Sequence, residues 1–279
     1  MRVIDSHVHL WDRTVSSHSW MDGSRFDDTN LVGDLPPADP LEREIILVEV
    51  DSDPDAAMGE ARWMSQQVTE HDELVGFVAN LPFANDVEAG LAELEALPGW
   101  RGVRWLFQGR NEVFDAETTP TALGLLTEVG VPFDLCVTHD QLSRATELVR
   151  RHPLLTVVLD HCGKPPIASS DPAAMGRWEA EIAEFAALPN VYCKLSGLTA
   201  EAGGLREDEA VPTYRRIVQH CLSRFGAERC LVGSDWPVSP LLHGRAAAWF
   251  EFVADLVDPE IDQVLTGTAE RIYRERRAL

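Results

Sequence analysis

The sequence predicts one α/β domain, a (β/α)8 barrel of the TIM type with a long loop after its first strand. Three observations carry this. Eight short apolar runs recur along the chain, and all but the first lead into a segment with helical spacing, the alternation that parallel βαβ units require. The length, 279 residues, suits a single barrel. No break in composition and no short-period repeat divides the chain, so residues 1–279 read as one domain.

The first strand is Val3-Ile4-Asp5-Ser6-His7-Val8-His9. Alternation along a strand places Asp5, His7 and His9 on one face. An irregular stretch follows over 10–44, carrying Trp11, Trp20, Pro36-Pro37 and many aspartates. A loop this long in a compact domain reads as a lid or binding loop. Strand two spans 45–50, apolar except for Glu49, and a helix over 54–71 spaces Ala57, Ala61, Met64 and Val68 on one side. Strand three covers 74–80. The helix over 86–97 faces inward with Val87, Leu91 and Leu94 and stops at Pro98-Gly99. Strand four is 102–106, with a helix over 119–129 closed by Gly130. Strand five (131–137) precedes a helix over 141–151. Strand six (154–159) runs into Asp160-His161 ahead of a helix over 172–188. Strand seven is 191–195 and its helix 214–225. Strand eight is 230–235, and helices over 246–257 and 259–276 finish the chain.

Composition narrows the function classes. The chain has 24 Lys+Arg against 46 Asp+Glu, a net charge of −22. Such a charge repels nucleic acid and anionic membranes. No apolar run is long enough to span a bilayer. Glycine-rich nucleotide fingerprints are absent. The five cysteines form no CxxC pair and sit mostly in apolar runs, where a small buried thiol is the ordinary reading; a reducing, cytoplasmic setting is expected. No signal peptide is expected ahead of the first strand. The number of subunits is left open, a homo-oligomer included.

In such a barrel the chemistry sits at the C-terminal ends of the strands, and polar residues gather there. His7 and His9 close strand one. Glu49 lies near the end of strand two, Arg104 in strand four, and Thr138-His139 after strand five. His161 ends strand six, Lys194 and Ser196 lie on strand seven, and Asp235 ends strand eight before Trp236-Pro237. Each has a plainer alternative: Glu49 could pair with Arg104 or Lys194, Lys194 could snorkel to the rim, and Asp235 could cap a turn. Together they are costly to bury unless paired or functional. Three imidazoles and a carboxylate (His7, His9, His161, Asp235) can hold one Zn²⁺ or a similar divalent ion, which polarises a carbonyl and acidifies water. Without a metal the imidazoles could hydrogen-bond a carbonyl oxygen while Asp235 serves as general base. Either route adds water to a carbonyl carbon.

Several segments carry a family resemblance: Asp5-Ser6-His7-Val8-His9, Gly102-Val103-Arg104, Phe133-Asp134-Leu135, Leu159-Asp160-His161-Cys162-Gly163-Lys164-Pro165, Lys194-Leu195-Ser196-Gly197 and Gly233-Ser234-Asp235-Trp236-Pro237. In this order they resemble the amidohydrolase superfamily, in its lactonase and decarboxylase branch (amidohydrolase-2), with the L-fuconolactonases, L-rhamnonolactonases and pyrone dicarboxylate lactonases. The resemblance implies hydrolysis of a small, sugar-derived lactone. Asp235 and His161 would be catalytic, and His7, His9, His161 and Asp235 would hold a single metal. Arg104, Lys164 and Lys194 would bind hydroxyls or a carboxylate, Glu49 would contact substrate or pair with Arg104, and Trp11, Trp20 and Trp236 would pack on a sugar-like ring. Strand four offers Arg104 and no lysine, so no binuclear centre is expected. A metal-dependent decarboxylase and a non-catalytic sugar-acid-binding barrel are the rival readings.

Overall fold

The computed structural model describes residues 1–84 and 86–274. Eight parallel strands form one sheet in sequential order: β1 (Arg2–Val8), β2 (Glu42–Val48), β3 (Leu74–Asn80), β4 (Trp100–Leu106), β5 (Phe133–Cys136), β6 (Val157–Leu159), β7 (Val191–Leu195) and β8 (Cys230–Val232). Helices α1 (Ala57–Glu70), α2 (Val87–Glu95), α3 (Asn111–Asp115), α4 (Thr118–Val129), α5 (Leu142–Arg150), α6 (Ala174–Ala186), α7 (Glu207–Phe225) and α8 (Ala246–Val257) lie between and after the strands. The result is a nearly closed TIM barrel, as its alternation of strands and helices predicts. The ends meet at a seam made by the residues that follow β8. Asp235 N donates to His7 O, and His9 N donates to Trp236 O, both at 2.8 Å. Ser6 Oγ donates to Val232 O at 2.6 Å.

The strand pleat sorts apolar side chains into two layers. Val3, Ile45, Leu47, Phe77, Val103 and Phe133 point outward and pack with Met64, Leu94, Leu123, Leu148, Phe185 and Phe250 from the helices. Ile4, Ile46, Val48, Val78, Val158 and Leu231 fill the barrel, together with Ala269 and Tyr273 from the C-terminal segment. Each large side chain so buried contributes about 1.5–3 kcal/mol.

Several element limits differ from expectation, for physical reasons. β2 ends at Val48, so Glu49 and Asp51 stand just past it at the rim. β6 starts at Val157 rather than 154 and keeps its expected end, β8 stops at Val232, and the chain turns sharply after both. His161, Cys162, Lys164 and Asp235 take φ of 53°, 54°, 47° and 59°. α7 begins seven residues before the predicted 214, with Pro212 inside it and Glu207, Asp208 and Glu209 in its first turn, where carboxylates favour the helix N-terminus. The register of β1 on β2 shifts between Asp5 and Val8. That bulge changes the alternation, so Asp5 does not join His7 and His9. Its Oδ1 accepts from Ser234 N at 2.7 Å instead. α3 was not foreseen. The predicted final helix appears as wide π-type turns over Gln263–Gly267 and Glu270–Arg274, and its residues 275–276 lie outside the described ones.

The long stretch after β1 is ordered by its own contacts. Trp11 and Asn30 form an antiparallel bridge. Trp11, Met21 and Val50 make a small apolar cluster with Phe26 against it. All five cysteines are buried and free. Among the described residues no helix is long and apolar enough to cross a membrane.

Candidate active site

Three imidazoles converge on one carboxylate oxygen. Asp235 Oδ1 lies 3.3 Å from His9 Nε2 and 3.7 Å from both His7 Nε2 and His161 Nε2. His7 Nε2 and His9 Nε2 are 3.1 Å apart. All four side chains are buried. Asp235 Oδ2 accepts from Ser239 Oγ at 2.6 Å, whereas buried Oδ1 has no hydrogen-bond partner among the described residues.

Each ring is held from behind through its Nδ1. His9 Nδ1 is 2.9 Å from Val48 O, an acceptor only, so this nitrogen carries a proton. His161 Nδ1 is 2.9 Å from Ser196 Oγ. His7 Nδ1 is 3.1 Å from Lys194 Nζ and 3.4 Å from Asp160 Oδ1. Rings anchored at Nδ1 with Nε2 turned inward are what metal-binding histidines require. A tetrahedral Zn²⁺ site with bonds of ~2.1 Å has ligand–ligand edges of about 3.4 Å. Four of the six edges lie at 3.1–3.7 Å, and the unpartnered Asp235 Oδ1 could accept an ion; His7, His161 and Asp235 form the set whose ligand atoms all lie within 4.8 Å of one another, with His9 outside it.

Two glycines permit the close approach. A Cβ on Gly197, whose φ is +72°, would come within 2.4 Å of His161 Nδ1. One on Gly233 would come within 2.6 Å of His7 Cβ.

Burial sets the charge states of the cluster. It drives His161 down to about 4, against the opposing pull of Asp235. It drives His7 well below the usual histidine range, with Lys194 adding to the effect. Burial works to raise Asp235, but His161, the His9 contact and His7 outweigh it and hold the carboxylate well below its ordinary range. Asp160 is likewise favoured as acid by burial and held ionised by Lys194 and His7.

Beneath the cluster runs a fully buried network. Lys194 Nζ donates to Asp134 Oδ2 at 2.5 Å and lies 3.2 Å from Asp160 Oδ1. Tyr273 OH donates to Asp134 Oδ1 at 2.7 Å. Arg104 Nε is bonded to Glu49 Oε1, its Nη2 donates to Glu49 O at 2.9 Å, and its Nη1 is 3.4 Å from Asp160 Oδ2 and from His7 Nε2.

Above it opens a cavity of about 320 Å³. Of the residues singled out in the sequence, His9, Trp11, Trp20, Arg104, Lys164, His161 and Asp235 line it. Trp20 Nε1 donates to Val50 O at 2.9 Å, and Trp11 Nε1 donates to Asp28 O at 2.7 Å, fixing both rings. His7, Glu49 and Lys194 are fully buried and do not line the cavity. Trp236 joins the outer core instead, and His139 sits half-buried in a 3-10 turn beyond β5. Sequence reasoning missed Asp51, Gln108 and Arg110 on the wall and Asp134, Asp160, Ser239 and Tyr273 in the support. Asp134 and Asp160 had a signal, since each is a carboxylate in an otherwise apolar strand end.

Residues 4–274 match the amidohydrolase family. Over 200 residues the chain is 36% identical to an L-fucono-1,5-lactonase of Burkholderia ambifaria, covering 68% of this chain and 67% of that protein. A crystal structure of an amidohydrolase from Burkholderia multivorans with bound zinc superposes with a TM-score of 0.85 at 27% identity, over 99% of this chain and 100% of the other. A putative 2-pyrone-4,6-dicarboxylic acid hydrolase from Pseudomonas putida shares the fold, with a TM-score of 0.71 at 21% identity over 97% and 96% of the two chains.

Proposed function

The chain belongs to the amidohydrolase family, and from that premise we propose that it hydrolyses a small, sugar-derived lactone to the hydroxy acid. The carrying observation is Asp235 Oδ1, buried, without a hydrogen-bond donor and faced by three imidazole nitrogens in the floor of a cavity. The likeness to an L-fucono-1,5-lactonase supports a lactone over other acyl compounds.

His7, His9, His161 and Asp235 are the residues that would hold a divalent ion. Bound there, such an ion would polarise the lactone carbonyl and lower the pKa of water. Asp235, ionised at neutral pH, is the group that takes a proton from the attacking water. It can return that proton to the ring oxygen as the acyl C–O bond breaks. Ser239 fixes the carboxylate through Oδ2, which keeps Oδ1 free for this transfer. His161, neutral and steadied by Ser196, lies beside the same oxygen. Trp11 and Trp20 give the ring an apolar wall that excludes water. Glu49 and Lys194 act from behind, by setting the positions of the groups that do touch substrate.

The test is proton release from a panel of aldonolactones, with elemental analysis of the purified protein. Turnover of at least one lactone, lost with a chelator and restored by Zn²⁺, is the expected result. CO₂ release from an aromatic acid by metal-loaded protein that leaves every lactone intact would assign it to decarboxylation. Thermal stabilisation by sugar acids with no turnover of any kind would make it a binding protein.

A further inference from the structure

Each cation in the wall of the cavity already faces a carboxylate. Arg104 is bonded to Glu49. Arg110 Nη2 donates to both Asp51 oxygens, at 2.9 and 2.8 Å. Lys164 Nζ donates to Glu201 Oε1 at 3.0 Å. Under the floor, Lys194 sits between Asp134 and Asp160. These four cations meet six carboxylates once Asp235 is included, so the site holds no surplus positive charge, and a divalent ion would bring it only to neutrality. The rest of the chain, with 46 acidic residues against 24 basic, adds none. An incoming carboxylate would have to displace Asp51 or Glu201, or be buried against fixed negative charge.

A neutral polyol meets the opposite situation. Arg110 Nη1 is buried and without a partner among the described residues. Beside it the Asp51 oxygens can accept. A donor and an acceptor side by side complement neighbouring hydroxyls, each of which gives and takes a hydrogen bond. The Arg110 guanidinium lies 4.9 Å from the Trp105 ring centroid, which fixes its plane.

We propose that the Asp51–Arg110 pair is the specificity determinant of this pocket, selecting an uncharged, hydroxylated lactone and rejecting one that carries a carboxylate. The proposal rests on the lactonase reading above for its substrate class. Rejection comes from leaving no cation free, and selection from the unpaired guanidinium nitrogen next to the Asp51 oxygens. The same arrangement offers no resting place for the carboxylate that hydrolysis creates once it leaves the reacting atoms, so product is expelled.

The experiment compares kcat/KM of the intact enzyme for an aldonolactone and for the aldarolactone in which the terminal CH2OH is a carboxylate. The wild type is expected to prefer the neutral compound by 100-fold or more. Asp51→Asn, which frees Arg110 at constant size, should shift that preference at least tenfold toward the carboxylate compound. Arg110→Met, a second variant, should raise KM for the neutral lactone with no gain on the charged one. Calorimetric binding of the two corresponding lactams reads the same preference without turnover. Equal use or equal binding of the charged compound by the wild type, or an unchanged preference in a folded Asp51→Asn enzyme, overturns the proposal. Discrimination between the lactams with no hydrolysis of either lactone sinks the lactonase reading and leaves charge selection standing.

Discussion

At the scale of single residues, the carboxylate of Asp235 and the imidazole of His161 make separable predictions. Asp235→Asn keeps the shape and the Ser239 contact but removes the acceptor for the water's proton. General-base effects are typically about 100-fold or more, so turnover of the best lactone should fall by at least that factor. The melting temperature should change little. A near-normal rate in a proton-release assay would remove Asp235 from the mechanism. His161 speaks through pH. Its folded-state pKa is about 4, below the ordinary 6.5. The unfolded chain therefore binds a proton between those values that the folded one does not. Stability is full above pH 6.5 and falls as pH drops toward 4. In metal-free protein this one group should cost about 2 kcal/mol between pH 6.5 and 5. Urea unfolding of wild type against His161→Asn at the two pH values measures it; the variant should lose about that much less.

At the scale of elements, the strand ends show what a sequence can and cannot announce. His7 and His9 were legible because period-two alternation puts residues two apart on one face, and their Nε2 atoms do lie 3.1 Å apart. Asp235 was legible because a charged residue ends an apolar run. The Asp51–Arg110 pair was not, since both residues sit in loops whose path no local pattern sets. Nor was the Asp134–Tyr273 contact, which joins residues 139 apart in the chain. Lys194 was read as a candidate substrate-binding residue on β7; it is fully buried and carries the network beneath His7. Lys194→Met should therefore act on folding. It leaves Asp134 and Asp160 without their cation, and breaking a buried pair from one side costs about 3–5 kcal/mol. Adding Asp134→Leu removes one stranded charge and should recover part of the loss. Chemical denaturation of the single and double variants decides this; a single variant as stable as wild type would show the network to be dispensable.

At the scale of the whole molecule, barrel closure and catalytic geometry are the same set of bonds. β1 and β8 meet through residues of the site. Asp235 donates its backbone N–H to His7, His9 donates to Trp236, and the Asp5 carboxylate receives Ser234 N–H. A barrel closed by a regular ladder would place its ends without reference to the chemistry. Here the segment that closes the ring also carries the general base, in a left-handed backbone conformation at φ 59°. The consequence can be tested at Asp5, which is buried and lines no part of the cavity. Asp5→Ala strands the Ser234 amide, and an unsatisfied buried donor costs about 1–3 kcal/mol. If that were all, activity below the melting transition would be normal. Because Ser234 precedes Asp235, the seam should also loosen around the carboxylate. The expected result is a kcat lowered tenfold or more with KM nearly unchanged, alongside the loss of stability. Normal kcat in the folded variant would mean that the Asp5–Ser234 bond and the reacting groups are independent.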